Sequence, residues 1–254
     1  MTSNRPAWLA ALFRYGADLI FPPTCAGCGR AGALLCADCA QAVDPTPSTV
    51  CSHCGRLQFV AVPLCSLCAR ESDPPLMWTR AAALHTHPLR EAIHRFKYRK
   101  QPELAEPLSR YLVANFQQPP WIDLPHSLDA CVPTPLHPKR LLERGYNQAG
   151  LLAKAFAEKV NLAVEESWLA RSRETASQAT LSAEQRRHNI AGAFTAPPAV
   201  KGKHILVIDD VTTTGATLTA CAYALRDAGA TAVYGLALAT PRLPGSKDPH
   251  QMAG

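Results

Sequence analysis

The run Ile205-Leu206-Val207-Ile208-Asp209-Asp210-Val211-Thr212-Thr213-Thr214-Gly215-Ala216-Thr217 leaves this chain few architectures to choose from. Four consecutive apolar residues, three of them β-branched, suit a strand covered on both faces, as in a parallel sheet between helices. Two carboxylates end the run. Small and hydroxyl-bearing residues follow, and Leu218, Ala222 and Leu225 then fall on one helical face. The expected unit is therefore a strand, a tight loop and a helix N-terminus. Amides of the loop and the positive end of the helix dipole suit a phosphate, with threonine hydroxyls as further donors. The adjacent Asp209 and Asp210 suit ribose hydroxyls or Mg²⁺. The plain alternative is an ordinary βα unit whose Asp pair caps the helix. A Walker-type nucleotide site would need a G-x-x-x-x-G-K-[ST] loop. None is present, and Gly202-Lys203 is followed by His204.

Eight of the ten cysteines form four C-x-x-C pairs within residues 25 to 68: Cys25/Cys28, Cys36/Cys39, Cys51/Cys54 and Cys65/Cys68. Two pairs run directly into Gly29 and Gly55. With no secretion signal in view, this spacing reads as zinc and not as disulfides. Each knuckle offers two thiolates, and two knuckles close a tetrahedral site with no position left for substrate, which makes the ions structural. Sequential pairing gives Cys25, Cys28, Cys36, Cys39 and Cys51, Cys54, Cys65, Cys68; interleaved pairing is the other arrangement the spacing allows. Cys131 and Cys221 sit in apolar, strand-like and helix-like settings and are expected to pack in the core.

The chain has 254 residues and 47% hydrophobic content, enough for a substantial core. Trp8, Leu9, Leu12 and Phe13 form an apolar-periodic patch, but Arg14 and Asp18 interrupt it. An amphipathic N-terminal helix is expected, with neither a signal peptide nor a membrane span, and a cytoplasmic location. The formal charge of +6 falls to near +2 once two Zn²⁺ and eight thiolates are included. Residues 1–74 carry five basic and five acidic groups, so the metal-loaded module is acidic and ill-suited to electrostatic nucleic-acid binding.

Asp44-Pro45-x-Pro47 separates the two knuckle pairs, and Asp73-Pro74-Pro75 reads as a linker. Between 78 and 100, Trp78, Phe96 and Tyr98 alternate with Arg80, Arg90, Arg95, Lys97, Arg99 and Lys100. Such a stretch is either a nucleic-acid footprint, with Arg95, Lys97 and Lys100 as contacts, or the solvated face of a helix whose underside is Leu89, Ile93 and Phe96. The solvated face is the preferred reading. Asp129 to Pro133 reads as a strand. A proline-laden basic loop follows, with Arg140, Arg144 and Gly145, and then an amphipathic helix to about Val160. A basic loop after a strand and before a helix is where a parallel sheet binds an anion, and Arg140 and Arg144 offer planar forks for pyrophosphate. Residues 171–194, with Gln178, Leu181, Ser182, Arg186, Arg187, Asn189 and Phe194, have little internal periodicity and read as a mobile flap; Val233 to Leu238 is a further strand.

The run from Ile205 to Thr217 resembles the thirteen-residue phosphoribosyl-pyrophosphate (PRPP) motif of type I phosphoribosyltransferases. Adding Phe21-Pro22-Pro23-x-Cys25-x-x-Cys28-Gly29, Phe96-Lys97-Tyr98, Val132-Pro133, Arg140, Arg144-Gly145-Tyr146-Asn147-Gln148 and Gln178-x-x-Leu181-Ser182 with Arg186 and Asn189, nearly the whole chain resembles the ComF family, also called GntX-like. That resemblance implies an α/β protein of the type I phosphoribosyltransferase fold, a parallel sheet flanked by helices, with a small N-terminal double zinc ribbon. The implied division is 1–22 helix, 23–72 double zinc ribbon, 76–242 phosphoribosyltransferase-like domain and 243–254 tail. It implies that Thr213, Thr214, Gly215, Ala216 and Thr217 hold the 5-phosphate of PRPP or another phosphorylated ribose. Asp209 and Asp210 would hold the ribose and its developing charge, and Mg²⁺ with Arg140, Arg144 and Gly145 the pyrophosphate. It links the chain to DNA uptake in natural transformation, either as a transferase with an unspecified acceptor or as a non-catalytic sensor of phosphoribosyl compounds that binds single-stranded DNA or competence proteins.

Overall fold

The structure, a computed structural model, describes residues 22–60, 62–124, 127–172 and 192–243. The N-terminal helix expected up to residue 21, the flap residues Gln178 to Asn189 and the tail after 243 lie outside the described residues. In chain order the strands are β1 (Thr79–Leu84), β2 (Ala130–Pro133), β3 (Ala170–Arg171), β4 (Phe194–Thr195), β5 (His204–Val211) and β6 (Ala232–Thr240). The helices are α1 (Ala37–Gln41), α2 (Leu89–Tyr98), α3 (Ala105–Phe116), α4 (Pro138–Arg144), α5 (Gln148–Val160) and α6 (Ala216–Asp227).

β1, β6, β5 and β2 lie side by side in that order, every pairing parallel. Alternation along β5 explains why its apolar run has no gap. Leu206 and Ile208 pack into one cluster with Ile93 of α2, Leu108 of α3, and Leu152 and Phe156 of α5. Ile205 and Val207 face the opposite cluster with Leu218, Cys221, Ala222 and Leu225 of α6. Successive side chains point to opposite faces of a strand, so a strand between two helical layers is apolar at every position. Each large side chain fully buried here contributes about 1.5–3 kcal/mol. Cys131 and Cys221 are both completely buried packing residues, as their settings imply.

Three boundaries differ from the sequence expectation. The carboxylates do not end the central strand: β5 runs on to Val211, because β6 beside it continues to Thr240 and pairs Asp209 with Ala237 and Val211 with Ala239. Residues 79–84, read with the basic stretch that follows, form a strand whose partner, Gly235 to Thr240, lies far along the chain. The proline-laden loop after β2 contains a helix, α4, which Pro138 starts at a position where no amide bond is lost and Gly145 stops with φ +84°. The expected apolar underside of α2 is borne out, since Leu89, Ile93 and Phe96 are all buried.

Each zinc-ribbon half contains an antiparallel bridge, Thr24 to Ala31 and Val50 to Leu57. The segment between them does more than separate them. Pro45 bridges Ala83 in antiparallel fashion, the Thr46 amide donates to Ala82 O at 3.2 Å and the Leu84 amide to Asp44 O at 2.8 Å, so this segment lies along the outer edge of β1. The Asp44 carboxylate also accepts from Thr86 Oγ1 at 3.1 Å and Arg242 Nη2 at 2.7 Å. The second half seats on the base of the same strand: the Thr79 amide donates to His53 O at 2.7 Å. Gly55, at φ +67°, passes so close that a Cβ there would stand 2.3 Å from Thr79 O. Only glycine meets both demands.

Candidate functional site

The carboxyl ends of β2, β5 and β6 converge with α2 and α4 around the acidic pair. Asp209 and Asp210 are both 9% exposed, low for two adjacent carboxylates. Their partners explain how they are accommodated. Thr134, just beyond β2, donates its hydroxyl to Asp209 Oδ1 at 2.9 Å, and the Asp210 amide donates to the same oxygen at 2.9 Å. Lys97 of α2 sets its Nζ 2.8 Å from Asp210 Oδ2, with side-chain exposures of 18% and 12%. Of the three residues read as nucleic-acid contacts, Lys97 is thus turned inward, whereas Lys100 is exposed and Arg95 half-buried. Sequence reasoning named Lys97 as a nucleic-acid contact and not as a partner of the acidic pair, although a signal for the second role was present. It stands four residues after Ile93 and eight after Leu89, on the margin of the apolar stripe, where a helical side chain points at the protein body.

After β5 the chain turns through Thr212 to Gly215 into α6. Gly215 has φ +79°, with only Thr219 Oγ1, at 4.0 Å, near the position of a Cβ. Glycine is needed there for backbone conformation and not for space. Thr214 Oγ1 accepts from the Ala216 amide at 3.4 Å, and the opening turn of the twelve-residue α6 directs its amides toward this loop. Thr213 is exposed, Thr217 half-buried and Ala216 buried. A phosphate at this loop would meet backbone donors and the helix dipole together.

On the other side of the acidic pair, Lys97, Tyr98, Lys100, Arg140, Glu143 and Arg144 line a cleft of about 160 Å³. Arg144 donates to Gln148 Oε1 at 2.9 Å and lies over the Tyr98 ring, 5.1 Å from its centroid. These contacts hold its guanidinium at the cleft. Tyr146 donates its hydroxyl to Phe96 O, and Asn147 caps α5 by accepting from the Ala149 amide while donating to Thr134 O at 3.0 Å. The loop from 144 to 147 is thereby tied to α2 on one side and β2 on the other. A larger cavity, about 630 Å³, lies elsewhere, between the ribbon segment Val43–Ser52, β1 and the end of α3.

Two further groups interact electrostatically with the acidic pair without having been singled out in the sequence. Arg171, on the β3–β4 ladder, lies 5.5 Å from the Phe194 ring centroid. Its pKa is depressed by burial first and then by the charge of Arg140, while Cys221 and Asp209 oppose. His85, whose amide bonds Thr240 O at the end of β6, is held below the ordinary imidazole value by burial and then by Lys97 and Arg90, against Asp210 and Glu91. Neither carries a motif, because strand-edge proximity is a product of topology.

Burial, and then the charge of Asp210, push the Asp209 carboxyl up to about 7, while Lys97 and the Thr134 hydrogen bond pull it down. A carboxyl raised in the fold keeps its proton after the unfolded chain has lost its own at the ordinary 3.8. The stability contributed by Asp209 therefore declines as pH rises from about 4 to about 7 and levels off above. Asp209→Asn keeps the Oδ1 acceptor for Thr134 and for the Asp210 amide but cannot ionise. Denaturant midpoints at pH 5 and pH 8 are expected to show wild type losing roughly 1–3 kcal/mol more than the variant between them. Equal losses would refute the assignment.

The two cysteine clusters are built separately. The sulfurs of Cys25, Cys28, Cys36 and Cys39 lie within 4.8 Å of one another, as do those of Cys51, Cys54, Cys65 and Cys68. Sequential pairing is therefore the arrangement in the fold. A zinc ion with Zn–S bonds of about 2.3 Å spaces its sulfurs about 3.8 Å apart. Cys28 and Cys36 are 3.8 Å apart, and Cys54 and Cys65 are 3.7 Å apart. Burial raises the Cys25 thiol, but the amides of Cys36, Cys28 and Gly27 outweigh it and bring the group down to about 6; corresponding amides bring Cys51 to about 7. Such donors stabilise thiolates, the form that binds zinc. The donor set and geometry fit two closed structural zinc sites. His53 joins the second cluster to the sheet, with Nδ1 3.4 Å from Cys68 Sγ and Nε2 2.7 Å from Leu76 O.

A family described as "Double zinc ribbon domain" matches residues 16–79, and one described as "Phosphoribosyl transferase domain" matches residues 141–248. The chain is 32% identical over 204 residues to the "DNA utilization protein YhgH" of Escherichia coli, covering 78% of this chain and 87% of that protein. It is 31% identical over 216 residues to "Competence protein F" of Haemophilus influenzae, covering 81% and 90%. Among solved structures, it is similar to the glutamine PRPP amidotransferase of B. subtilis at 19% identity and TM-score 0.37, covering 56% of this chain and 30% of that one. No helix among the described residues is long and apolar enough to cross a membrane.

Proposed function

This chain belongs to the ComF/GntX family of phosphoribosyltransferase-domain proteins with an N-terminal double zinc ribbon, and from that premise we propose that it binds PRPP with Mg²⁺ at the carboxyl edge of the sheet. The observation that carries the reading is the division of charge around one loop. A buried carboxylate pair stands between a glycine-threonine loop that opens α6 and a cleft lined by two lysines and two arginines. In the proposed complex the 5-phosphate sits on Thr213 to Thr217, Asp209 and Asp210 receive the ribose hydroxyls, and Arg140 and Arg144, with Gly145 between them and α5, face the pyrophosphate. Mg²⁺, when bound, neutralises pyrophosphate charge.

The chemistry such a pocket supports is displacement of pyrophosphate from C1 through an oxocarbenium-like state. The carboxylates would stabilise the developing positive charge, and the cations the departing anion. No protein nucleophile is required. The acceptor is proposed only as a nucleophile that enters the pocket from outside, and the DNA-related names of the relatives support a setting in DNA uptake or use.

Calorimetric titration of the zinc-loaded chain with PRPP and Mg²⁺ tests the reading. Saturable one-site binding, weakening as salt rises because several phosphates meet cations, is the expected result. An absence of binding at millimolar PRPP would overturn it.

A further inference from the structure

Lys97 belongs to two arrangements at once. Its Nζ is 2.8 Å from Asp210 Oδ2, an ion pair largely withdrawn from water, and the same side chain lines the cleft shared with Lys100, Arg140 and Arg144. A ribose hydroxyl that donates to Asp210 competes with Lys97 for the charge of that carboxylate. A ligand that engages Asp210 thereby loosens Lys97, and a loosened cation with little exposure settles beside the nearest available anion. The cleft holds one carboxylate, Glu143, against four cations, so the anion that attracts the lysine there is one brought by the ligand.

We propose that Lys97 is a positioning residue that couples the two halves of the pocket: ribose binding at Asp210 releases it to the anion cleft, where it tightens the grip on pyrophosphate. The proposal rests on the phosphoribosyl reading of the site and adds a regulation that the reading does not contain. In the empty protein the lysine neutralises Asp210. Once the ribose is seated, it becomes the fourth cation of the pyrophosphate cleft. The two ends of the ligand are then felt together, and pyrophosphate alone meets an incomplete site. Of the other groups near the Lys97 end of this arrangement, His85 and Arg90 carry no negative charge, Glu91 accepts from Arg90 at 2.7 and 3.1 Å, and Asp209 is taken up with Asp210 by the ribose in the proposed complex.

The test uses ribose 5-phosphate and inorganic pyrophosphate without divalent metal, so that neither probe is complexed in solution. Each is titrated into the full zinc-loaded chain alone and in the presence of the other. For wild type, saturating ribose 5-phosphate is expected to tighten pyrophosphate binding about 5–20-fold, with the same factor in the reverse order, as linkage requires. Lys97→Gln is expected to bind ribose 5-phosphate at least as tightly as wild type, to bind pyrophosphate more weakly, and to bring the coupling factor close to one. Lys97→Arg, which keeps the cation, is expected to restore most of the coupling. If Lys97→Gln unfolds, Lys97→Arg and the Lys97→Gln/Asp210→Asn pair carry the same comparison. A merely structural lysine would change both affinities in one direction and leave the coupling factor intact, which would overturn the proposal. Binding of both probes without coupling in wild type would overturn it as well, while leaving the phosphoribosyl reading standing. Failure of wild type to bind either probe would overturn both.

Discussion

Replacing Asp209 and Asp210 together by asparagine is expected to weaken PRPP binding by 10²–10⁴-fold while leaving the fold and both zinc ions in place. The substitution is nearly isosteric. Asparagine Oδ1 at 209 can still accept from Thr134 and from the amide of residue 210, so the hydrogen bonds that hold the end of β5 survive. At pH 8, above the midpoint of Asp209, what disappears is charge. A hydrogen bond to an ionised acceptor is worth about 1.5–3 kcal/mol, and two such acceptors lost from a ribose amount to about 3–6 kcal/mol, which is the stated range of affinity. The variant also strands Lys97 beside a neutral amide, which works against binding loss by freeing a cation for the phosphates. The two single variants should therefore differ, with Asp209→Asn the more damaging. Calorimetry with PRPP and Mg²⁺, paired with zinc content and circular dichroism as controls for folding, reads this directly. A double variant that binds within threefold of wild type would remove the acidic pair from the site.

The second large effect is expected from the zinc ribbons. Cys51→Ser removes a sulfur that accepts from the Cys65 amide at 3.3 Å, and with it one corner of the second cluster. Metal binding by small ribbon modules is inseparable from their folding, with apparent energies of about 10–16 kcal/mol. The variant should thus hold one zinc per chain and lose the order of residues 50–68. Damage should then spread along a specific route, because His53 O receives the Thr79 amide and the neighbouring linker carries the bonds to Ala82 and Leu84. Hydrogen exchange of the segment 79–84 is expected to accelerate by at least 10²-fold, while β2 and β5, further across the sheet, stay protected. PRPP affinity should move less than about threefold, since the acidic pair is held by Thr134 of the β2 end and Lys97 of α2. Unchanged exchange over 79–84 would show that the ribbons are passengers on the domain.

Legibility in the sequence followed the range of each determinant. The strand at 205, the helix ending at Val160 and the pairing of cysteines into knuckles are local patterns, and the structure bears out all three. Residues 79–84 were opaque because Thr-Arg-Ala-Ala-Ala-Leu has weak β-preference. They are a strand because β6 offers an edge and Pro45 a partner, both distant in the chain. The continuation of β5 through two carboxylates was hidden for the same reason. Within the site, the acidic pair, the loop at 213–217 and the arginines at 140 and 144 could be read from residue type and spacing. Lys97, Thr134, Arg171 and His85 are drawn together by topology. Lys97 is the instructive case: counted by charge it joined a basic run, and counted by helical phase it belonged to the interior.

The segment from Asp44 to Thr46 has a bearing on where this chain can be cut. It closes the outer edge of β1 with a partner that contains Pro45 and is followed by Pro47, residues that cannot pass a regular ladder on to another strand. On the far side, the Cys131 amide and carbonyl are taken by Ala163 and Glu165, which covers β2. The sheet is thus finite at both margins. A truncation beginning near residue 76 would keep every group proposed to face a phosphate yet bare a six-residue strand edge, four of whose residues are apolar, the kind of surface that recruits copies of itself. Insolubility of that fragment would then be a matter of an unsealed border, not of an incomplete pocket.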